Sequence, residues 1–177
     1  PRATGFLFAK GGNRLLIATA FRDSTAPATV LLFETGTRKI DTLSRGKETF
    51  AQLAWDEEGA QAAFISTGDS AKSPPSVLYF WKSGSPAAIP LADSATTGLP
   101  RRWVVSGEMQ PFFSRNGARL FFGTSPAPVP DDTTFNDVET PRLDVWHWNN
   151  GYIQSHQLKD AEKEQKRSYT AVIHLET

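Results

Sequence analysis

Three times along this chain a turn glycine opens a short apolar run, which is followed by a second apolar run and another glycine. The first copy runs from Gly12-Asn-Arg-Leu-Leu-Ile17 to Val30-Leu-Leu-Phe-Glu-Thr-Gly36. The second runs from Gly59-Ala-Gln-Ala-Ala-Phe64 to Val77-Leu-Tyr-Phe-Trp-Lys-Ser-Gly84. The third runs from Gly117-Ala-Arg-Leu-Phe-Phe122 to Leu143-Asp-Val-Trp-His-Trp-Asn-Asn-Gly151 and is lengthened by residues 125–141. Self-similarity at a period of roughly 40–50 residues, with short strands in each repeat, is the signature of propeller blades. The expected fold is therefore all-β, a partial β-propeller of about three four-stranded antiparallel blades plus the first strand of a fourth.

Each copy divides into strands around its glycine turn. First strands are read at Phe6–Ala9, Phe50–Trp55 and Met109–Phe113, where Pro111 implies an edge or a bulge. The turns Lys10–Asn13, Asp56–Gly59 and Ser114–Gly117 each hold a glycine, because a tight hairpin requires positive φ. Second strands, Leu15–Thr19, Ala62–Ser66 and Leu120–Gly123, are continuous apolar runs and so expect burial on both faces. That pattern speaks against a simple β-sandwich, whose strands alternate with one face polar. Polar fourth strands are read at Arg38–Leu43 and Tyr152–Leu158. The whole chain, 1–177, reads as one propeller fragment with blades at 5–43, 50–91 and 103–158, and residues 169–177 opening the next. Such a fragment exposes strand edges and sheet faces that favour self-association.

Composition narrows function mainly by exclusion. Nineteen basic and nineteen acidic residues cancel, which removes the electrostatic case for nucleic acid or an anionic membrane surface. No apolar stretch approaches the roughly 20 residues of a membrane-spanning helix. Without cysteine there is no disulfide or thiolate metal site. The three histidines, His147, His156 and His174, lack the spacing of a metal pair, and no Gly-x-Ser-x-Gly elbow occurs. Neither a catalytic residue nor a metal or cofactor is expected in the chain. Alternation would place His147 opposite Trp146 and Trp148, and the five tryptophans are read as packing residues, Trp103 and Trp148 least firmly. Glu162 and Lys166 are read as keeping a linker soluble. Four carboxylates in the long insertion, Asp131, Asp132, Asp137 and Glu139, are the candidate substrate-binding residues, since such groups suit a cation or a peptide amino terminus.

The stretches Trp103–Ser106 and Pro111–Thr124, then Leu143–Trp148, Gln157-Leu158 and Arg167–Val172, resemble the amino-terminal propeller of secreted bacterial prolyl oligopeptidase-family serine peptidases. The Phe-Ser-x-x-Gly-x-x-Leu-x-Phe core is shared with TolB-type propeller repeats. The resemblance implies a propeller that caps a separate α/β-hydrolase domain, admits short peptides, and lies in the periplasm or outside the cell. That domain, which carries the serine, aspartate and histidine, is not in these 177 residues. By the same resemblance the acidic insertion, Glu139 included, would meet the substrate's amino terminus. The expected function is a non-catalytic, peptide-gating propeller whose partners are the hydrolase domain and a peptide. The alternative is a TolB-like scaffold that binds protein partners.

Overall fold

The computed structural model of the chain describes residues 2–20, 26–67, 75–127, 147–149 and 151–175. Two compact units emerge, residues 1–127 with 168–177, and residues 128–167. The first is built from three antiparallel four-stranded sheets. Sheet A is the meander β1 (Arg2–Phe8), β2 (Arg14–Ala20), β3 (Ala28–Glu34), β4 (Ile40–Gly46). Sheet B repeats it with β5 (Thr49–Trp55), β6 (Gln61–Thr67), β7 (Val77–Lys82) and β8 (Ile89–Ala92). Sheet C holds β9 (Trp103–Val105), β10 (Phe112–Phe113), β11 (Arg119–Pro126) and β12 (Tyr169–His174).

The glycine turn is built alike three times. Gly12, Gly59 and Gly117 have φ of 68°, 69° and 68°, in the left-handed region that suits glycine. In each turn the glycine N–H donates to the carbonyl three residues back, on Ala9, Asp56 and Ser114. Those three residues in turn donate to the carbonyls of Arg14, Gln61 and Arg119, closing the hairpin.

Stacking follows from side-chain parity. Leu16, Ala18, Val30 and Leu32 of sheet A pack with Ala62, Phe64, Phe50 and Trp81 of sheet B in one core. Ala63, Ile65 and Leu78, on the opposite face of sheet B, pack with Leu120 and Phe122 of sheet C in a second. Sheet B is thus covered on both faces, and Ala62, Ala63, Phe64 and Ile65 are fully buried. In the equivalent positions of the end sheets the outward residues Leu15 and Ile17 of β2 and Phe121 of β11 are only half-buried. Three antiparallel sheets stacked in this way form a partial β-propeller, and the sandwich alternative falls away.

Two segments differ from expectation. Tyr169–His174 does not open a fourth blade, since it pairs with β11 from Arg119↔His174 to Thr124↔Tyr169 as the third strand of sheet C. Its inward residues Ala171 and Ile173, with Leu175 beyond them, pack on the second core, which pins the strand there. β9 and β10 share the other edge of β11, pairing with Thr124–Pro126 and Leu120–Phe121. The split leaves Pro111, which has no N–H to give a ladder, buried just before β10. The segment Leu143–Trp146, which opens the second apolar run of the third copy, lies outside the described residues; His147 and Trp148 are not in a strand.

The second difference is in the 128–167 unit, where Tyr152–Leu158 was expected as a polar strand. Residues Gln154–Gln165 form instead the helix α1, with Glu162 inside it. Its sequence, Gln-Ser-His-Gln-Leu-Lys-Asp-Ala-Glu-Lys-Glu-Gln, has no β-branched residue, glycine or proline, and is rich in helix formers. The carbonyl of Ile153 accepts from the N–H groups of His156 and Gln157 at the start, and Arg167 pairs with Glu164 at 2.6 Å near the end. No helix among the described residues is long and apolar enough to cross a membrane.

Candidate functional site

The first strands β1, β5 and β10 lie side by side along the inner edges of the three sheets. Hydrogen bonds between the sheets hold them together. Trp55 Nε1 donates to the Leu7 carbonyl at 3.0 Å, and Gln110 Nε2 to the Leu53 carbonyl at 2.7 Å. Gln52 Nε2 reaches the Gly107 carbonyl at 2.8 Å. That reach is set by a bulge between Ala51 and Ala54, where Gln52 takes a φ of 55°, a costly conformation for a non-glycine residue.

Where these strands run into their turns they enclose an open groove of about 540 Å³. Leu7, Ala54 and Trp55 form its apolar base, with Phe8, Phe112 and Phe113 beside them. Phe8 and Phe112 are about half exposed, so the groove offers aromatic surface to solvent. Its rim is charged and comes from one repeat position, two residues before the turn glycine: Lys10, Glu57 and Arg115. Lys10 and Glu57 form an ion pair between sheets A and B. The lysine's hydrogen bond and charge hold the Glu57 carboxyl below its ordinary value, and Arg115 adds to the effect from sheet C.

This pair sets a pH dependence of definite sign. A carboxyl whose folded pKa is lowered contributes stability above its unfolded pKa, of about 4.3, and loses it as pH falls through the folded value. Lys10→Ala is expected to raise the Glu57 midpoint toward that ordinary value in an NMR titration. A midpoint indifferent to the substitution would mean that the pair does not form in solution.

No histidine lines the groove, and Ser114 is occupied as a turn cap, donating to Asn116 Oδ1 at 2.8 Å and accepting from the Arg119 N–H. His147 and His156 are exposed and stack on Trp148 and Tyr152, so His147 does not sit opposite Trp148 as alternation suggested. Trp148 is 91% exposed, contrary to a packing role, whereas Trp55 and Trp81 meet edge to face in the core and Trp103 packs on Tyr169. Among the described residues no three His, Asp or Glu side chains gather as metal ligands. Asp131, Asp132, Asp137 and Glu139 lie outside the described residues. The groove itself was missed in the sequence, although the charged residue recurring two places before each turn glycine was a visible signal.

No family model matches the chain, and no curated protein matches it in sequence. Among solved structures the chain is similar to the tricorn protease, at a TM-score of 0.50 and 13% identity over 76% of this chain. It is also similar to a prolyl endopeptidase (TM-score 0.45, 13% identity, 70% of this chain) and to TolB from Acinetobacter baumannii (0.44, 9%, 67%). The chain spans 12%, 18% and 26% of the lengths of these three proteins. At such identities the likeness is one of fold.

Proposed function

We propose that this chain is a non-catalytic part of the propeller of a prolyl oligopeptidase-like serine peptidase that works in the periplasm or outside the cell. It would meet peptide on the way to a hydrolase domain outside these residues. The observation that carries the reading is the inner groove, which joins aromatic surface to a charged rim and has no histidine in its lining. Aromatic surface suits apolar peptide side chains, and Lys10, Glu57 and Arg115 suit backbone carbonyls and peptide termini. In this reading Asp131, Asp132, Asp137 and Glu139 add negative charge for a substrate's amino terminus.

The test is labelling of the whole gene product with a fluorophosphonate probe for activated serines. The reading expects a labelled serine outside residues 1–177, blocked by short proline-containing peptides, and no label on the 177-residue chain alone. An unlabelled whole gene product would remove the peptidase reading and leave a TolB-like scaffold for protein partners.

A further inference from the structure

The two interfaces between sheets do the same job with different side chains, and the difference sets two charges apart from stacking. The residue two places after the turn glycine reaches across to the turn glycine of the next sheet. Arg14 Nη1 of sheet A donates to the Gly59 carbonyl of sheet B at 2.8 Å, and Gln61 Nε2 of sheet B to the Gly117 carbonyl of sheet C at 3.2 Å. A neutral glutamine is therefore enough to seat one sheet on the next. The cross-strand neighbours differ as well, since Arg14 is paired with Glu34 and Gln61 with Lys82. Stacking thus requires neither the positive charge of Arg14 nor the carboxylate of Glu34.

Both residues line a cleft of about 350 Å³ between sheets A and B. Leu32, Leu43 and Trp81, all buried, form its apolar wall. Arg14 is fixed there from three directions. Besides the bond to Gly59, its Nη2 donates to Ser83 Oγ at 3.0 Å, and the guanidinium lies 5.6 Å from the centre of the Trp81 ring. These two bonds leave further N–H groups of the guanidinium to give. Glu34 is half-buried, and its Oε2 accepts from the Thr37 hydroxyl at 3.0 Å. Its Oε1 is 3.7 Å from Arg14 Nη2, beyond hydrogen-bond distance, and accepts from no group among the described residues. The other two charges of the cleft, Lys39 and Asp41, pair with each other at 2.9 Å. What remains is a fixed guanidinium and a carboxylate side by side, each with hydrogen-bonding capacity unused, next to an apolar wall.

We propose that this cleft binds a small apolar α-amino acid. Its carboxylate pairs with Arg14, its ammonium with Glu34 Oε1, and its side chain lies against Leu32, Leu43 and Trp81. The adjacent opposite charges of Arg14 and Glu34 match the adjacent opposite charges of a zwitterion, and both contacts are charge-assisted hydrogen bonds. A ligand carrying only one of the two groups leaves the other side chain unanswered in a half-buried place. The cleft is at the small end of ligand pockets, which suits a single residue rather than a length of peptide. This inference stands apart from the peptidase reading, because the cleft is lined from β2, β3, β4 and β7 and the groove from the first strands and their turns.

Titration calorimetry of the 177-residue chain with L-leucine, leucinamide and N-acetyl-leucine tests it. Leucinamide lacks the carboxylate, and N-acetyl-leucine lacks the ammonium. Leucine is expected to bind in the micromolar to millimolar range, and each analogue about tenfold or more weaker. Arg14→Gln copies the residue that seats sheet B on sheet C, so its urea midpoint is expected to stay close to that of the natural sequence. Glu34→Gln keeps an oxygen for Thr37. Arg14→Gln is expected to abolish the preference for leucine over leucinamide, and Glu34→Gln the preference over N-acetyl-leucine. A purely structural role for the two side chains would not divide the ligand's groups between them in this way. No binding of leucine in the millimolar range, equal binding of all three compounds, or a preference that survives its own variant would each overturn the proposal.

Discussion

Replacing Phe64 with alanine is expected to remove about 3–5 kcal/mol of stability. Phe64 is fully buried between sheets A and B, on the strand that is covered on both faces. Its ring stacks on Tyr79 at 5.3 Å with an interplanar angle of 8°, and meets the edge of Phe50 at 5.7 Å. Truncation removes the apolar transfer energy and leaves a cavity in a wall shared by two sheets, which cannot collapse from one side alone. Against a total of about 5–15 kcal/mol for a typical domain, this is a large share. The melting midpoint should fall by roughly 6–20 °C for a chain of this size. Phe6→Ala is the control. Its side chain lies on the outer face of sheet A and is 68% exposed, so a change within about 1 kcal/mol is expected. Similar losses for the two in urea melts would show that the interface between sheets A and B is not packed as described.

How much of this was legible in the sequence depends on whether the signal was local. The continuous run Ala62–Ser66 announced a strand buried on both faces, and β6 is that strand. The same reading applied to Leu15–Thr19 and Leu120–Gly123 was half right. Periodicity reports the apolar faces but not whether a neighbour sits on each, and Phe6, Ile40 and Phe112 stay open. The glycine turns were legible because positive φ is a one-residue property. The third sheet was not, because its third strand is separated from β11 by a helix-containing insertion. Leu143–Trp148 carried a strand-like pattern, but Ala171 and Ile173 make the observed contact with the core. Helix α1 carries little apolar periodicity in its sequence, and its richness in helix formers is the cue it offers.

The candidate site shows the same division. The insertion carboxylates stand out in one dimension, by the length and charge of their loop. The groove arises from residues in different copies, Lys10 with Glu57 and Phe8 with Trp55, that meet only after stacking. Aligning the copies on their glycines would have placed Lys10, Glu57 and Arg115 in one column.

The stacking itself is tested most directly by three substitutions at one repeat position, Gly12→Ala, Gly59→Ala and Gly117→Ala, followed by urea unfolding. All three glycines have nearly the same φ, so the left-handed cost of about 1–2 kcal/mol is common to the set. What differs is what sits against each. Alanine at Gly12 meets nothing within 4 Å, so only the common cost applies. At Gly117 the nearest atom is the Gln61 amide nitrogen at 2.7 Å, which swings away and gives up its hydrogen bond for about 1 kcal/mol more. At Gly59 the new methyl would lie 2.8 Å from the Cβ of Ala9, which cannot move without its backbone, and overpacking adds about 1–3 kcal/mol. The predicted order of loss is therefore Gly59→Ala, then Gly117→Ala, then Gly12→Ala. Equal losses at all three positions would contradict the account, because they would mean that the second and third turns are not seated against the sheets before them.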